Sequence, residues 1–257
     1  MDERELPFTE HLEELRDRLI RSFIAVIVLM VGTFTFKTEL FGLLAEPLRA
    51  AFDIARQIDP SFPAEFEFKL SYKDPVEPFF TQLKVALLAA IFLAVPVITY
   101  QVWNFVAPGL YEHEKRSTFP FMFLAILMFA VGAYFCYVAV LPYGYGYLLT
   151  YGGADYEPAI MMQEYLKLTA RLLIAFGLVF ELPVFIVFLA RVGIVSADTL
   201  RGFRKHAIVG TFVIAAILTP PDIITQVFLA LPLVLLYEVS ILGASIFGKK
   251  RPDLDEP

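Results

Sequence analysis

Six long apolar runs, separated by short charged or proline-rich segments, are the feature that most restricts the fold of this chain. A helix needs about 20 predominantly apolar residues to cross the hydrocarbon core of a bilayer. The 257-residue chain is 58% hydrophobic and only 19% charged, which is far from the composition of a soluble domain. The sequence therefore predicts an all-α polytopic membrane protein that forms one domain over residues 1–257. The six predicted transmembrane helices are Leu19–Phe36, Phe79–Asn104, Phe119–Leu141, Leu166–Ala190, Ala207–Thr219 and Ile223–Phe247.

The last two predicted helices are expected to be short as membrane elements. The thirteen residues of Ala207–Thr219 rise roughly 20 Å, against about 30 Å of hydrocarbon. The Thr-Pro-Pro-Asp sequence at 219–222 leaves almost no loop, so it predicts a sharp reversal of the chain. We expect these two helices to form a hairpin that ends before the far membrane surface.

The basic residues are distributed unevenly between the connecting segments. Thirteen of the 21 lysines and arginines lie in segments on the same side as the N-terminus, and five lie in one long opposite segment, 37–77. Because positive residues favour the cytoplasmic side, both termini are predicted to be cytoplasmic. An amphipathic N-terminal helix, 8–18, and a tail, 248–257, are then cytoplasmic. The outer segment 37–77 contains four prolines among aromatic residues and predicts a folded cap.

Prolines inside the predicted spans indicate bent helices. Pro96, Pro183 and Pro232 each remove one backbone hydrogen bond, and a proline ring also crowds the preceding turn. A bundle of bent helices is expected to have a concave face.

Two carboxylates interrupt the apolar runs. Glu181 follows Phe-Gly-Leu-Val-Phe within the fourth span, and Glu238 lies in the sixth. Charges in this environment are costly and usually serve a function, so we favour a functional role for Glu181. The alternative for Glu181 is a protonated acid that hydrogen-bonds a neighbouring helix. For Glu238 the sequence leaves the role open, and it offers neither carboxylate an obvious lysine or arginine at the same depth.

The first inner loop, Tyr100–Arg116, ends with a cluster of titratable residues in which Glu112 and Glu114 precede Lys115 and Arg116. Carboxylates pair with guanidinium groups through charge-assisted hydrogen bonds, so the loop is a candidate site for a cationic partner. An ordinary solvated turn is the alternative.

The N-terminal helix offers a second group of charges near the membrane. Glu14 and Arg18 are four residues apart, as are Asp17 and Arg21, so both pairs can form on a solvated helix face. Glu14 can instead join Glu114 in presenting carboxylates to a basic peptide.

Six segments resemble the TatC family of twin-arginine protein translocase subunits, in the same order and on the expected spans and loops. They are HLEELRDRL at His11–Leu19, EPL at Glu46–Leu48, EPFFTQLK at Glu77–Lys84, APGLYEHEKR at Ala107–Arg116, FGLVFELPV at Phe176–Val184 and LTPPDIITQ at Leu218–Gln226. The resemblance implies a glove-shaped bundle in the inner membrane of a prokaryote. It implies a receptor for twin-arginine signal peptides that works with TatA and TatB, self-associates, and exports folded precursors with the proton motive force.

The resemblance also implies roles for particular residues. Glu14, Arg16 and Glu114 correspond to the signal-peptide site, with Glu112 as a second acid and Arg16 expected to hold the carboxylates in place. Glu181 corresponds to a functional acid on the concave face. The residues expected to serve assembly or partner docking are Pro47, Thr219, Asp222 and Gln226.

Two other classes of protein are alternatives to this interpretation. A proton- or ion-coupled transporter of small solutes is motivated by the two buried carboxylates, but the halves of the chain show no convincing repeat. A membrane enzyme is disfavoured because the chain has no H-E-x-x-H, no G-x-S-x-G and no glycine-rich phosphate loop. No cofactor, metal or nucleic-acid partner is expected.

Overall fold

The computed structural model describes the backbone of residues 8–106, 112–153, 156–219 and 222–248, and their side chains except those of 8–11, 106 and 112–118. This part of the chain is almost entirely helical. Its elements are α1 (Phe8–Thr35), α2 (Lys37–Ile58), β1 (Leu70–Ser71), α3 (Glu77–Val106), α4 (Glu112–Phe135), a π-helical turn (Cys136–Val140), α5 (Leu141–Thr150), β2 (Ile160–Met161), α6 (Met162–Phe180), α7 (Leu182–Val192), α8 (Ala197–Leu218) and α9 (Ile223–Phe247).

Five stretches of the described helices are long and apolar enough to cross a membrane. They confirm the predicted all-α polytopic class and coincide with five of the six predicted spans. The stretches are Leu12–Thr35, Glu77–Phe105, Phe119–Thr150, Met162–Val192 and Ile223–Phe247. The remaining predicted span lies within α8.

The helix α8 differs from its prediction because it begins ten residues earlier. The hydroxyl of Ser196 caps it by accepting a hydrogen bond from the Thr199 N–H at 3.1 Å. Its first half is charged, so only residues 207–218 correspond to the predicted apolar span. With 22 and 25 residues, α8 and α9 rise about 33 and 37 Å, so the prediction of short helices applies only to the apolar part of α8.

The prolines inside the predicted spans affect their helices differently. Glu181 separates α6 from α7, and Pro183 lies in the first turn of α7, so the predicted break is confirmed there. Pro96 and Pro232 instead lie within the continuous helices α3 and α9.

The described residues form two compact units, of which the first consists of those within 1–41 and 79–126. Within it, α1 continues from Phe8 into the first span, so the amphipathic segment 8–18 is the beginning of a longer helix. The buried hydroxyl of Thr33 donates to the Ala86 carbonyl at 2.7 Å and joins α1 to α3. Near the other end of α3, Trp103 stacks on Phe121 of α4 with ring centroids 6.4 Å apart.

The second unit consists of the described residues within 42–78 and 127–257. Most of the predicted outer segment belongs to it, and this segment contains the helix α2, which the sequence had not assigned. The buried face of α2 packs with Phe62 and Tyr165 in one core cluster. The strands β1 and β2 pair in parallel, with Leu70 opposite Ile160, and connect this segment to the start of α6.

Glycines allow two helices of the second unit to approach closely. A Cβ atom on Gly132 of α4 would lie 2.6 Å from the Phe176 carbonyl oxygen of α6, and one on Gly177 would lie 2.5 Å from the Phe129 ring. Real Cβ atoms do not come this close, so larger residues at these positions require the helices to separate.

Candidate functional site

A carboxylate–guanidinium pair lies in the first half of α1, within the motif His11–Leu19. The Nε of Arg18 donates to Glu14 Oε1 at 3.0 Å, and the two side chains form an ion pair. Arg18 also donates to the Gln101 side chain of α3 at 3.5 Å. Only 24% of the Glu14 side chain and 18% of the Arg18 side chain are exposed, so this pair is more enclosed than a surface ion pair. Glu14 is therefore a carboxylate of fixed position that already binds a guanidinium.

Arg16 does not hold this carboxylate as expected. Its guanidinium contacts the adjacent Asp17 at 3.3 Å, and 71% of the side chain is exposed. The expected Asp17–Arg21 pair is also replaced by this contact between neighbours. The helix phase explains the difference, because residues two apart, such as 14 and 16, point to different faces. Arg18, four residues from Glu14, is the arginine that holds this carboxylate.

The two acids of the first inner loop begin a helix. Glu112 is the first residue of α4 and Glu114 is its third. The side chains of both lie outside the described residues, as does the preceding segment 107–111.

Glu181 lies at the junction of α6 and α7. Its N–H donates to the Leu178 carbonyl at 3.1 Å, and its carbonyl accepts from the Phe185 N–H at 3.0 Å. The side chain is half-buried, and no hydrogen bond or ion pair in the described part of the chain engages its carboxylate. The alternative of a hydrogen bond to a neighbouring helix therefore gains no support from the described contacts.

Glu238, in contrast, has the partner that the sequence did not reveal. Arg204 of α8 donates to its carboxylate at 2.7 Å, and the two side chains are 46% and 43% exposed. Arg204 precedes the predicted span Ala207–Thr219, whereas the longer α8 includes it and brings it alongside α9. The expectation that no basic group is available to Glu238 is wrong for this reason.

Pro47 lies inside α2 and is buried. A proline has no N–H to donate to the carbonyl four residues earlier, which here belongs to Leu43. The hydroxyl of Tyr137 donates to this carbonyl at 2.8 Å, and the hydroxyl of Tyr165 donates to the adjacent Leu44 carbonyl. Two tyrosines thus bind the backbone of α2 next to the proline, a role that no local sequence signal indicated.

The turn between α8 and α9 carries three of the expected docking residues. Asp222 caps α9 by accepting from the Thr225 N–H at 2.7 Å. The Thr219 hydroxyl donates to the Ala215 carbonyl at 2.8 Å, and the Gln226 side-chain amide donates to the Phe212 carbonyl of α8 at 3.0 Å. All three polar groups therefore have hydrogen bonds that stabilise the hairpin itself.

Two tyrosines extend this network beyond the turn. The Tyr151 hydroxyl donates to Asp222 at 2.8 Å and lies 3.1 Å from the Tyr147 hydroxyl. The hydrogen bonds to Tyr147 and Asp222 raise the pKa of Tyr151, while the bond from the Thr225 N–H, aided by Tyr151, lowers the pKa of Asp222. At neutral pH the tyrosine is the donor and the aspartate is the ionised acceptor.

Together these features define a polytopic helical membrane protein in which several charged side chains pair with one another or lie where helices begin and end. The family described as Sec-independent protein translocase protein (TatC) matches residues 10–232. Since this match covers most of the chain, the chain belongs to the TatC family.

Similar proteins agree with this assignment. The chain is 46% identical over 255 residues to a Sec-independent protein translocase protein TatC of Desulforapulum autotrophicum, covering 99% of this chain and 90% of the relative. It is 38% identical to the protein of that name from Aquifex aeolicus, covering 98% and 100%. A crystal structure described as the twin arginine translocase receptor TatC matches with a TM-score of 0.76 at 38% identity, covering 91% of this chain and 97% of the other.

The family places the chain among the components of a protein translocase and not among enzymes. Together with its spans, it identifies a multi-pass protein of the bacterial inner membrane. It also favours the translocase interpretation over the solute transporter that the buried carboxylates had suggested.

Proposed function

We propose that this chain is the receptor of a twin-arginine translocase and binds the arginine pair of signal peptides on folded precursors. The observation that carries the proposal is the enclosed Glu14 carboxylate, which Arg18 and Gln101 hold in place on the cytoplasmic motif of α1. Glu114 and Glu112, in the first turn of α4, supply further carboxylates. Arg16, on a different face of α1, adds an exposed positive charge to the same motif.

The resident pair explains why arginine would be selected over lysine. An incoming side chain must share or displace the Arg18 guanidinium on Glu14. A guanidinium presents a planar fork of donors to a carboxylate, whereas an ammonium is a strongly hydrated point charge. Replacement of one guanidinium by another preserves the hydrogen bonds, while a lysine loses part of them.

The test is binding of an Arg-Arg signal peptide and its Lys-Lys counterpart to the purified protein in detergent. We expect arginine-selective binding that Glu114→Ala weakens by loss of charge-assisted hydrogen bonds of about 1.5–3 kcal/mol each. Glu112→Ala establishes which acid dominates, and Glu39→Ala, an exposed acid at the start of α2, is the control for net charge. Equal affinity for both peptides in the wild-type protein contradicts the proposal.

We also propose that the α8–α9 turn, with Thr219, Asp222 and Gln226, docks TatB and TatA. Its support is that the hairpin is fixed by the hydrogen bonds of these same residues, so that the turn presents a preformed surface. Gln226→Leu should reduce co-purification with TatB. Unchanged recovery of TatB with this variant counts against the docking site.

Pro47 and Glu181 complete the proposal. Pro47 serves assembly by leaving a backbone carbonyl of α2 for Tyr137, which fixes the cap. Glu181 acts during transport, which the proton motive force drives in a complex that contains several copies of the chain. Glu181→Ala should therefore impair export while signal-peptide binding stays intact, and wild-type export by this variant removes the case for it.

The proposed topology has both termini in the cytoplasm, which places Glu14 and Glu114 on the side where precursors arrive. Cysteine labelling offers a direct test, with single cysteines introduced at Glu13 and Tyr156 in a Cys136→Ala background. We expect only the cysteine at position 156 to react with a membrane-impermeant reagent in intact cells.

A further inference from the structure

Two basic residues lie inside the span Met162–Val192 without a described partner. Lys167 and Arg171 are exposed and are four residues apart on α6, so they lie on one face about 6 Å apart along the helix. No hydrogen bond or ion pair within the described residues engages either side chain. Arg171 is roughly 14 Å from the first residue of α6 along its axis.

Basic side chains at this depth need an anion or a route to the membrane surface. A charged residue within a span is costly and usually faces a partner or a wet cavity. Lysine and arginine lower this cost by extending their charged ends toward the interface. Here both can extend toward the start of α6, where the nearest acid of the same cleft is Glu164. One carboxylate against two cations leaves a net charge of about +1.

The cleft around these residues is lined by both charged and apolar side chains. It is open to the outside and lies between α6 and the end of α8. Lys167 and Arg171 form its basic lining, and Leu168 and Leu218 form its apolar lining. Two turns beyond Arg171 on the same face of α6, Leu178 is 55% exposed.

We propose that Lys167 and Arg171 bind the phosphate group of an anionic phospholipid. The net positive charge complements the headgroup. Leu168 and Leu218 of the cleft, together with Leu178 on the same face of α6 as Arg171, contact the acyl chains of the lipid. A phospholipid fits both linings at once and is present wherever the span meets the bilayer, whereas a soluble anion uses only the basic part. Basic groups near a membrane surface each contribute a measurable attraction to anionic lipid.

Native mass spectrometry of the delipidated protein tests the proposal by counting bound lipids and their affinities. The probes are phosphatidylglycerol and phosphatidylcholine with the same acyl chains. We expect the wild-type protein to bind one phosphatidylglycerol more tightly than its other lipids. The double variant Lys167→Gln/Arg171→Gln should lose about ten- to thirty-fold in affinity for it and little for phosphatidylcholine.

Three further variants keep the result interpretable if the neutral variant is poorly folded. Exchange of the two residues, Lys167→Arg with Arg171→Lys, preserves the charge and should preserve binding. Glu164→Gln removes the nearby negative charge and should strengthen binding. Lys84→Gln with Arg21→Gln removes one lysine and one arginine from the first unit and should leave this lipid unaffected.

Several results would overturn the proposal. One is equal phosphatidylglycerol affinity in the wild-type and neutral variants, and another is an equal loss in the Lys84/Arg21 control. Inorganic phosphate that competes with the lipid at equal concentration would identify a site for a free anion. Displacement of the lipid by a transmembrane peptide with an acidic residue, but not by its glutamine counterpart, would identify a protein carboxylate as the occupant.

Discussion

The first and fourth spans of the described helices differ most in how far the protein itself surrounds them. In the most apolar window of Leu12–Thr35 only 6% of the residues are buried, against 44% in Met162–Val192. The first span therefore exposes most of its apolar surface to lipid or to other proteins, and its polar contacts lie near its ends. The fourth is built into a packed unit. We infer that changes in α1 act mainly on binding, whereas changes in α6 act mainly on stability.

The largest expected effect separates two phenylalanines on these helices. Phe176 of α6 is 1% exposed and packs against the rings of Phe135 and Phe180, whereas Phe23 of α1 is 66% exposed. Phe176→Ala leaves a cavity and should lower the free energy of unfolding by about 3 kcal/mol. Phe23→Ala should change it by less than about 0.5 kcal/mol.

Equilibrium unfolding in mixed micelles measures both values. The loss of unfolding free energy for Phe176→Ala is expected at the low end of the range for core residues, because lipid is itself apolar and the transfer contribution is small. Similar values for the two variants would mean that α1 is packed as firmly as α6.

The next effect concerns binding. Glu14→Gln removes the negative charge while keeping the size of the side chain, and it should weaken arginine-peptide binding about ten- to one-hundred-fold, equivalent to roughly 1.4–2.7 kcal/mol. The free energy of unfolding should change little, because Glu14 and Arg18 lie within about one turn of the same helix. Titration calorimetry with the signal peptide provides the measurement, and Glu13→Gln, on the adjacent exposed residue, is the control. Equal losses of affinity in the two variants would mean that binding depends on the overall charge of the segment and not on Glu14 itself.

The close approach of α4 and α6 gives the third prediction. Gly132→Ala should destabilise the protein by about 1–3 kcal/mol, because the new methyl group meets a backbone carbonyl and the Phe180 side chain. Gly210→Ala, at a helix position with nothing within 4 Å, should be neutral or stabilising by up to about 1 kcal/mol. Thermal unfolding of the two variants side by side decides the point, and equal melting temperatures would contradict the tight packing.

The smallest effect compares two of the carboxylate–arginine pairs through double-mutant cycles. Arg204 and Glu238 join α8 to α9 with nearly half of each side chain exposed, so their coupling should be between about 0.2 and 1 kcal/mol. Glu14 and Arg18 lie on one helix, where such pairs contribute about 0.3–0.5 kcal/mol. A coupling for Arg204 and Glu238 well above 1 kcal/mol would show that this pair is shielded by the surrounding lipid.

Contacts that are local in sequence were the most predictable part of the site. The Glu14–Arg18 pair followed from the helical repeat, and the break at Glu181 followed from Pro183. The contact of Arg16 with Asp17 was not predicted, because the family motif gives residue types but not which side chains meet. Arg204 was missed because the apolar run alone placed the start of α8 too late.

The sequence by itself determined the class of the protein, the positions of its spans and the charges at their ends. These properties depend on hydrophobicity and helix periodicity, which are local. The tertiary structure decided the partners of Glu238 and of the α2 carbonyls beside Pro47, and it brought Lys167 and Arg171 into one cleft with the end of α8. These arrangements join residues far apart in the chain, and their geometry depends on how the helices pack, which no local pattern specifies.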